Sequence, residues 1–155
     1  MKRIPSAGRA DSAGAARSES PAAPERLRIL IVDDDSTVLK SVRDALTADG
    51  HSVVSASSGQ MGIDTFRTAL AQGNPFAVVI TDLGMPYVDG RQVCAAVKTG
   101  APDTIVILLT GWGQRLVADA GALLYVDSAL SKPPKLQELR EALARGLRTK
   151  SVGDS

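Results

Sequence analysis

Short apolar segments rich in β-branched residues alternate along the chain with segments whose apolar residues recur at helical spacing. This alternation limits the possible folds more than any other feature. Near-continuous apolar runs of this length are typical of strands buried on both faces of a parallel sheet. The alternation therefore predicts an α/β domain, with helices on both faces of a doubly wound, five-stranded parallel sheet. Strands are predicted at residues 27–32, 52–56, 76–80 and 105–109, and around 128–131.

Five helices are predicted between and after these strands. Their apolar residues recur every three or four positions in the segments around 38–46, 61–70, 93–97, 116–120 and 136–147. Ser36 is one candidate for the N-cap of the first helix, and Asp35, which extends the acidic pair, either caps this helix or faces solvent. Gly50, Gly73 and Gly100 follow the first three helices and are typical stop signals. The predicted domain occupies residues 27–149.

The first 26 residues differ in composition from the rest of the chain. Ala, Gly, Ser and Pro supply 16 of these 26 residues. Such a segment cannot bury enough apolar surface to offset the entropy lost on ordering. We therefore expect residues 1–26 to form a disordered tail or linker, and residues 150–155 to form a short C-terminal tail.

Charge and cysteine content exclude several classes of protein. The formal net charge is +1, so there is no basic excess of the kind that binds nucleic acid or an anionic membrane. The single cysteine, Cys94, cannot form an internal disulfide, which favours a reducing compartment. No apolar run approaches the length of a membrane span, and no apolar segment follows the basic start as in a signal peptide. We therefore expect a cytoplasmic protein without a nucleic-acid or membrane partner.

Ionisable and hydroxyl side chains follow four of the five predicted strands. Asp33 and Asp34 follow the first strand, Asp82 follows the third, Thr110 the fourth and Lys132 the fifth. Ligands of open α/β sheets bind at the carboxyl ends of the strands. These side chains are therefore expected to converge on one rim of the sheet.

Three carboxylates at one rim require a compensating positive charge. A hard divalent cation such as Mg²⁺ prefers carboxylate oxygens and water as ligands, and Lys132 adds a fixed positive charge. This combination suits phosphoryl transfer, in which positioning and charge neutralisation do most of the catalysis. A carboxylate can itself be the nucleophile and form an aspartyl-phosphate.

The order of these motifs resembles that of response-regulator receiver domains of two-component signalling. The resemblance covers about residues 27–148. It rests on the acidic pair after the first strand, on Asp-x-x-Met-Pro-x-x-Asp-Gly over residues 82–90, on Thr110 and on Lys132-Pro133. It implies a flavodoxin-like fold with sheet order 2-1-3-4-5 and a signalling switch that is not an enzyme, although it assists its own phosphorylation.

The resemblance also assigns roles to the rim residues. It implies that Asp82 is the phosphoacceptor and that Asp34, Asp33, Asp82 and the backbone carbonyl of Gly84 bind Mg²⁺ or Mn²⁺. Lys132, before a cis proline bond, is expected to contact the phosphoryl group, and Thr110 to move towards it. The implied donor is a phosphohistidine of a histidine kinase or histidine phosphotransfer protein. The downstream protein is unknown, and a monomer or weak dimer is expected.

The sequence departs from this family pattern at one position, and two other positions bear on how long a phosphoryl group would persist. Ala129 stands where the family usually places Tyr or Phe, so Thr110 lacks the aromatic partner that is usual in the family. Gly84 and Trp112 occupy positions that influence phosphate lifetime in the family. Because Gly84 cannot position a water and Trp112 could shield the phosphate, we hypothesise a long-lived aspartyl-phosphate. The alternative is that Trp112 is only a rim residue with half of its ring packed. The segments around Thr110 and Lys132 are also similar to those of receivers attached to hybrid histidine kinases.

Two alternatives remain open on the sequence. Asp33-Asp34-Asp35-Ser36-Thr37 also resembles the first motif of haloacid-dehalogenase-type phosphatases, with Asp33 as the nucleophile, although this leaves Asp82 unexplained. The other alternative is a receiver that never accepts phosphate and acts only as an interaction module. The intact acidic cluster and Lys132 argue against it, whereas Ala129 leaves it open.

Overall fold

The structure, a computed structural model, describes residues 26–111 and 125–154. Its strands are β1 (Arg28–Val32), β2 (Ser52–Ala56), β3 (Val78–Asp82), β4 (Ile105–Thr110) and β5 (Ser128–Ser131). Its described helices are α1 (Ser36–Ala48), α2 (Gly59–Ala71), α3 (Gly90–Gly100) and α4 (Leu136–Asp154).

The five strands form one parallel sheet in the order β2-β1-β3-β4-β5. This confirms the predicted flavodoxin-like fold and its strand order. β2 lies on one side of β1, whereas β3, β4 and β5 follow in order on the other side. The order of the strands therefore reverses between the neighbouring strands β1 and β3. The carboxyl ends of these two strands therefore face the crevice in which such folds bind ligands.

Alternating residues of the strands pack into two separate cores, one on each face of the sheet. On one face Leu30, Val79 and Leu108 pack against Phe66 of α2 and Val93 of α3. On the opposite face Ile29, Ile80 and Ile107 pack against Leu46 of α1 and Leu139 of α4. Both faces of the sheet are covered, which explains why the central strands have no polar alternation in sequence.

Four of the five predicted helices lie in the described part of the chain. The remaining one, predicted around residues 116–120, lies outside the described residues. Of the two N-cap candidates of the first helix, Ser36 is wrong. Asp35 is the cap, and its carboxylate accepts hydrogen bonds from the backbone N–H groups of Thr37 and Val38. A carboxylate at this position satisfies N–H groups that the helix itself leaves unpaired.

The helix ends follow the predicted stop signals. Gly50 and Gly73 adopt φ angles of 98° and 74°, a region that glycine enters without steric cost. The last helix continues to Asp154. Within the described residues, no helix is long and apolar enough to cross a membrane.

Candidate functional site

Three carboxylates meet at the carboxyl ends of the two central strands. Asp33 directly follows β1 and Asp82 is the last residue of β3, and both are buried, with exposed fractions of 0% and 2%. Asp34 follows Asp33 and is exposed to solvent. One oxygen from each of the three carboxylates lies within 4.8 Å of the other two. The structure thus brings together the acidic residues that the sequence predicts at one rim.

Lys132 extends over this cluster from the end of the edge strand β5. Its ammonium Nζ lies 3.1 Å from Asp33 Oδ2 and 3.3 Å from Asp82 Oδ1. Its backbone N–H donates to the carbonyl of Thr110 at 2.9 Å, which fixes the start of this segment against β4. The Lys132–Pro133 peptide bond is cis, as the resemblance implies. The ammonium group therefore faces both buried carboxylates.

Burial dominates the electrostatics of the two buried carboxylates. Desolvation raises the pKa of Asp33, and a hydrogen bond from the Asp35 backbone partly opposes this increase. Desolvation likewise raises the pKa of Asp82, opposed by Lys132 and by a hydrogen bond from the Gly84 backbone. Burial by itself would lower the pKa of Lys132, but its two carboxylate partners raise it above its ordinary value. The lysine remains charged and offsets part of the negative charge.

The carboxylate cluster fits a divalent cation. Asp33 Oδ1 accepts hydrogen bonds from the Asp35 backbone at 2.8 Å and from Lys132 Nζ at 3.3 Å, and the buried Asp33 Oδ2 has the same ammonium 3.1 Å away. Lys132 therefore compensates about one of the three negative charges of the cluster. Three carboxylates and one ammonium leave a net negative charge, so the donor set suits a hard ion such as Mg²⁺.

The loop after β3 approaches the end of that strand closely. Asp89 caps α3 and forms a capping box with Gln92. Gly90 donates its backbone N–H to the carbonyl of Leu83 at 2.8 Å. A Cβ atom at Gly90 would collide with the Asp82 carbonyl oxygen, so only glycine allows α3 to begin here. The Asp-Gly pair of the motif therefore fixes the end of the strand that carries Asp82.

Thr110 ends β4, on the strand next to Asp82. Its hydroxyl donates to the carbonyl of Leu130 at 3.4 Å, so it is held towards β5. Ala129 is exposed on β5, and Tyr125 packs instead against the core on the α2–α3 side. Trp112 lies outside the described residues, so its predicted role in shielding a phosphate stays a prediction.

Two groups outside the rim have structural roles. His51 is buried before β2, and its Nδ1 accepts a hydrogen bond from the Leu27 backbone at 3.1 Å. Cys94 is fully buried in α3, and burial raises the pKa of its thiol to about 12. Neither group faces the carboxylate cluster, so neither is a candidate for its chemistry.

One exposed residue near the rim was missed by the sequence reasoning. Tyr87 occupies one of the variable positions of the motif, between Pro86 and Asp89. It is fully exposed and has a φ of 68°. The sequence signal was weak but present, since Tyr87 is one of only five aromatic residues in the chain and stands in a predicted loop.

The sequence profile of the response regulator receiver domain matches residues 29–144, which include every described residue of the rim. The chain belongs to this receiver-domain family. Receiver domains of response regulators are signalling proteins. The membership agrees with the ordered acids, threonine and lysine at the strand ends, and it disfavours the phosphatase alternative.

Several known proteins resemble the chain in sequence or in structure. The response regulator MprA of Mycolicibacterium vanbaalenii is 34% identical over 128 residues, covering 83% of this chain and 53% of that protein. A response regulator receiver domain protein from Clostridium thermocellum has a TM-score of 0.70 and 32% identity, covering 81% of this chain and 98% of that one. A structure described as adenylate cyclase from Rhodopirellula baltica has a TM-score of 0.72 and 26% identity, over 84% and 93% of the two chains. This receiver chain spans about half the length of the curated relatives it matches.

Proposed function

We propose that this receiver domain accepts a phosphoryl group on Asp82 in a two-component phosphorelay. The observation that carries the proposal is the position of Lys132 Nζ, 3.1 Å from Asp33 and 3.3 Å from Asp82. Asp82 is a buried carboxylate beside the Lys132 ammonium and near the acidic pair Asp33 and Asp34. These surroundings suit a residue that accepts a highly charged phosphoryl group. An acidic cluster that served only as surface charge would not be buried under a lysine.

The proposed transfer is an in-line displacement at phosphorus. An oxygen of the Asp82 carboxylate forms a bond to the phosphorus, and the bond from phosphorus to the donor imidazole nitrogen breaks. The nitrogen keeps the electron pair and takes up a proton from solvent. Lys132 stays protonated throughout and balances the charge of the incoming phosphoryl oxygens.

A divalent cation belongs to this proposal. Asp33, Asp34, Asp82 and the backbone carbonyl of Gly84 would hold Mg²⁺ or Mn²⁺, which neutralises the phosphoryl oxygens when bound. Asp82 then has two tasks, because it must be both a ligand of the ion and the nucleophile. Asp33, 3.1 Å from Lys132 Nζ, keeps the ammonium directed towards the reacting oxygen.

The proposed role in the cell follows from the family. The donor is a phosphohistidine of a histidine kinase or a histidine phosphotransfer protein, in the cytoplasm. The phosphoryl group carries up to about two negative charges in place of the single charge of the Asp82 carboxylate, and it presents strong acceptor oxygens to which the Thr110 hydroxyl can turn from its present bond to Leu130. Output is by protein contact or onward phosphotransfer, as a monomer or weak dimer.

The proposal is tested by the intact mass of the chain after incubation with Mg²⁺ and acetyl phosphate. We expect one added phosphoryl group on the unsubstituted chain and none on Asp82→Asn, whose amide is isosteric but not nucleophilic. EDTA is expected to abolish the label. Label on Asp82→Asn would contradict the assignment of the phosphoacceptor.

The Asp33→Asn variant is the matched control for the phosphatase alternative. If Asp33 were the nucleophile, its substitution would remove the label and the turnover of acetyl phosphate, while Asp82→Asn would retain both. Absence of label from the unsubstituted chain with Mg²⁺ would instead favour an interaction module that does not accept phosphate from this donor.

A further inference from the structure

Tyr87 has an unusual position in the loop between the phosphoacceptor strand and α3. Its φ of 68° lies in the left-handed region, and the Val88 backbone N–H donates across it to the Pro86 carbonyl at 2.8 Å. This bond from residue i+2 to residue i is that of a γ-turn with a positive φ, a rare and strained form. A bulky residue with positive φ is an outlier in any fold.

No packing of the Tyr87 side chain against the described residues offsets this strain. Its exposed fraction is 100%, so its ring packs against none of the residues that the structure describes. Glycine would adopt the same φ without a steric penalty and would lose no buried area. A strained residue that the fold does not need points to a contact outside the chain.

A second exposed apolar side chain lies on the adjoining segment. Met61, in the first turn of α2, is 46% exposed, and it and Tyr87 are the exposed large hydrophobic side chains of the described residues. The two segments meet where Gly59 approaches Val88, since a Cβ at Gly59 would lie 2.9 Å from Val88 Cγ1. This close contact holds the loop against α2. Tyr87 and Met61 together are called the rim patch below.

We propose that the rim patch is a docking contact for the protein that carries the phosphohistidine donor, with Tyr87 as its main anchor. The inference rests on the proposed function and names a surface for its partner. Because Asp82 is only 2% exposed, a donor imidazole must enter the rim, and the surface around that imidazole must then rest on the loops that border it. Tyr87 lies on such a loop, five residues after Asp82.

The chemistry of the rim patch fits this occupant. A tyrosine ring presents a large apolar area with only two side-chain torsions to fix, and tyrosine is enriched among residues that dominate binding energy. A protein donor is large enough to cover such a ring while its histidine reaches Asp82, whereas a small phosphodonor is not. The rim patch is therefore expected to affect transfer from a protein and not transfer from a small molecule.

The test compares two donors on the same variants. The protein probe is a purified, autophosphorylated histidine-kinase core of the source organism, chosen as the fastest donor to the unsubstituted chain. The small probe is acetyl phosphate with Mg²⁺. Tyr87→Gly relieves the backbone and is expected to keep the melting temperature at or above that of the unsubstituted chain, so a loss cannot come from unfolding.

We expect Tyr87→Gly to lower the rate of transfer from the kinase core about tenfold, and Tyr87→Phe to stay within about twofold of the original rate. Met61→Gln should lower the rate by a smaller factor. Arg67→Ala, which removes an exposed side chain further along α2, is the matched control and should change nothing. Labelling by acetyl phosphate should be equal in all variants.

Each other outcome has a distinct meaning. An unchanged kinase rate in Tyr87→Gly, or a loss in Tyr87→Phe as large as in Tyr87→Gly, would overturn the anchor. An equal loss with both donors would also overturn it, because the effect would then lie in the acceptor chemistry. If acetyl phosphate labels Asp82 but no kinase core does, the phosphohistidine protein is not the partner that docks on the rim patch. If neither donor labels Asp82, the proposed function itself fails.

Discussion

Asp34→Asn tests the electrostatics of the carboxylate cluster most directly. The substitution keeps the shape of an exposed side chain and removes one negative charge within 4.8 Å of two others. At this distance two unit charges repel by about 0.9 kcal/mol in bulk water and by about 3.5 kcal/mol at an effective dielectric constant of 20. The positive charge of Lys132 offsets one of the two negative charges of Asp33 and Asp82, so Asp34 faces roughly one net negative charge.

The expected effect on stability depends on the metal. Because Asp34 is exposed, the lower end of this range applies, and Asp34→Asn should raise the free energy of unfolding by about 1 kcal/mol in EDTA. A ligand at ten times its dissociation constant stabilises the folded state by about 1.4 kcal/mol. Added Mg²⁺ should therefore cancel or reverse the advantage of the variant, since the unsubstituted chain binds the ion more tightly.

Urea unfolding followed by circular dichroism measures both effects. Four curves are needed, for the unsubstituted chain and for Asp34→Asn, each in EDTA and in Mg²⁺. A variant that is less stable than the unsubstituted chain in EDTA would refute the repulsion argument. An equal gain from Mg²⁺ in both chains would refute the role of Asp34 as a ligand. Addition of NaCl should reduce the difference in EDTA, because salt screens exposed charges.

Two further predictions concern groups remote from the rim. Burial lowers the pKa of His51 below its ordinary value of 6.5, so its contribution to stability is present above that pH and is lost as the pH falls below it. The urea midpoint should therefore fall more between about pH 7 and pH 5.5 in the unsubstituted chain than in His51→Gln, and equal falls would contradict the assignment. Asp127 Oδ2 accepts from the Val106 backbone at 2.7 Å and lies 2.8 Å from Lys98 Nζ, so Asp127→Ala should cost about 1–3 kcal/mol in urea unfolding. Asp127→Asn should recover part of this loss, and a cost near zero in the alanine variant would show that the strand does not need the bond.

Much of the fold could be predicted because local pattern and tertiary environment agree. The apolar runs of β1 and β4 are buried on both faces, so they carry no competing polar signal. The prediction was weaker where one residue had to be chosen among several with similar chemistry. Asp35 and Ser36 are both good caps, and only the backbone geometry selects Asp35. Similarly, β3 extends to Asp82, beyond the predicted apolar run, because Asp82 pairs with Leu109 of β4.

The sequence by itself determined the order of the rim residues along the chain, because four motifs follow four strands whose carboxyl ends must share one edge of a parallel sheet. Only the tertiary structure decided how these groups meet. The distances from Lys132 to Asp33 and Asp82 depend on β5 lying beyond β4, a contact between segments far apart in sequence. The exposure and backbone strain of Tyr87 also required the structure, since a residue letter does not show whether a side chain in a loop packs against the fold or points into water.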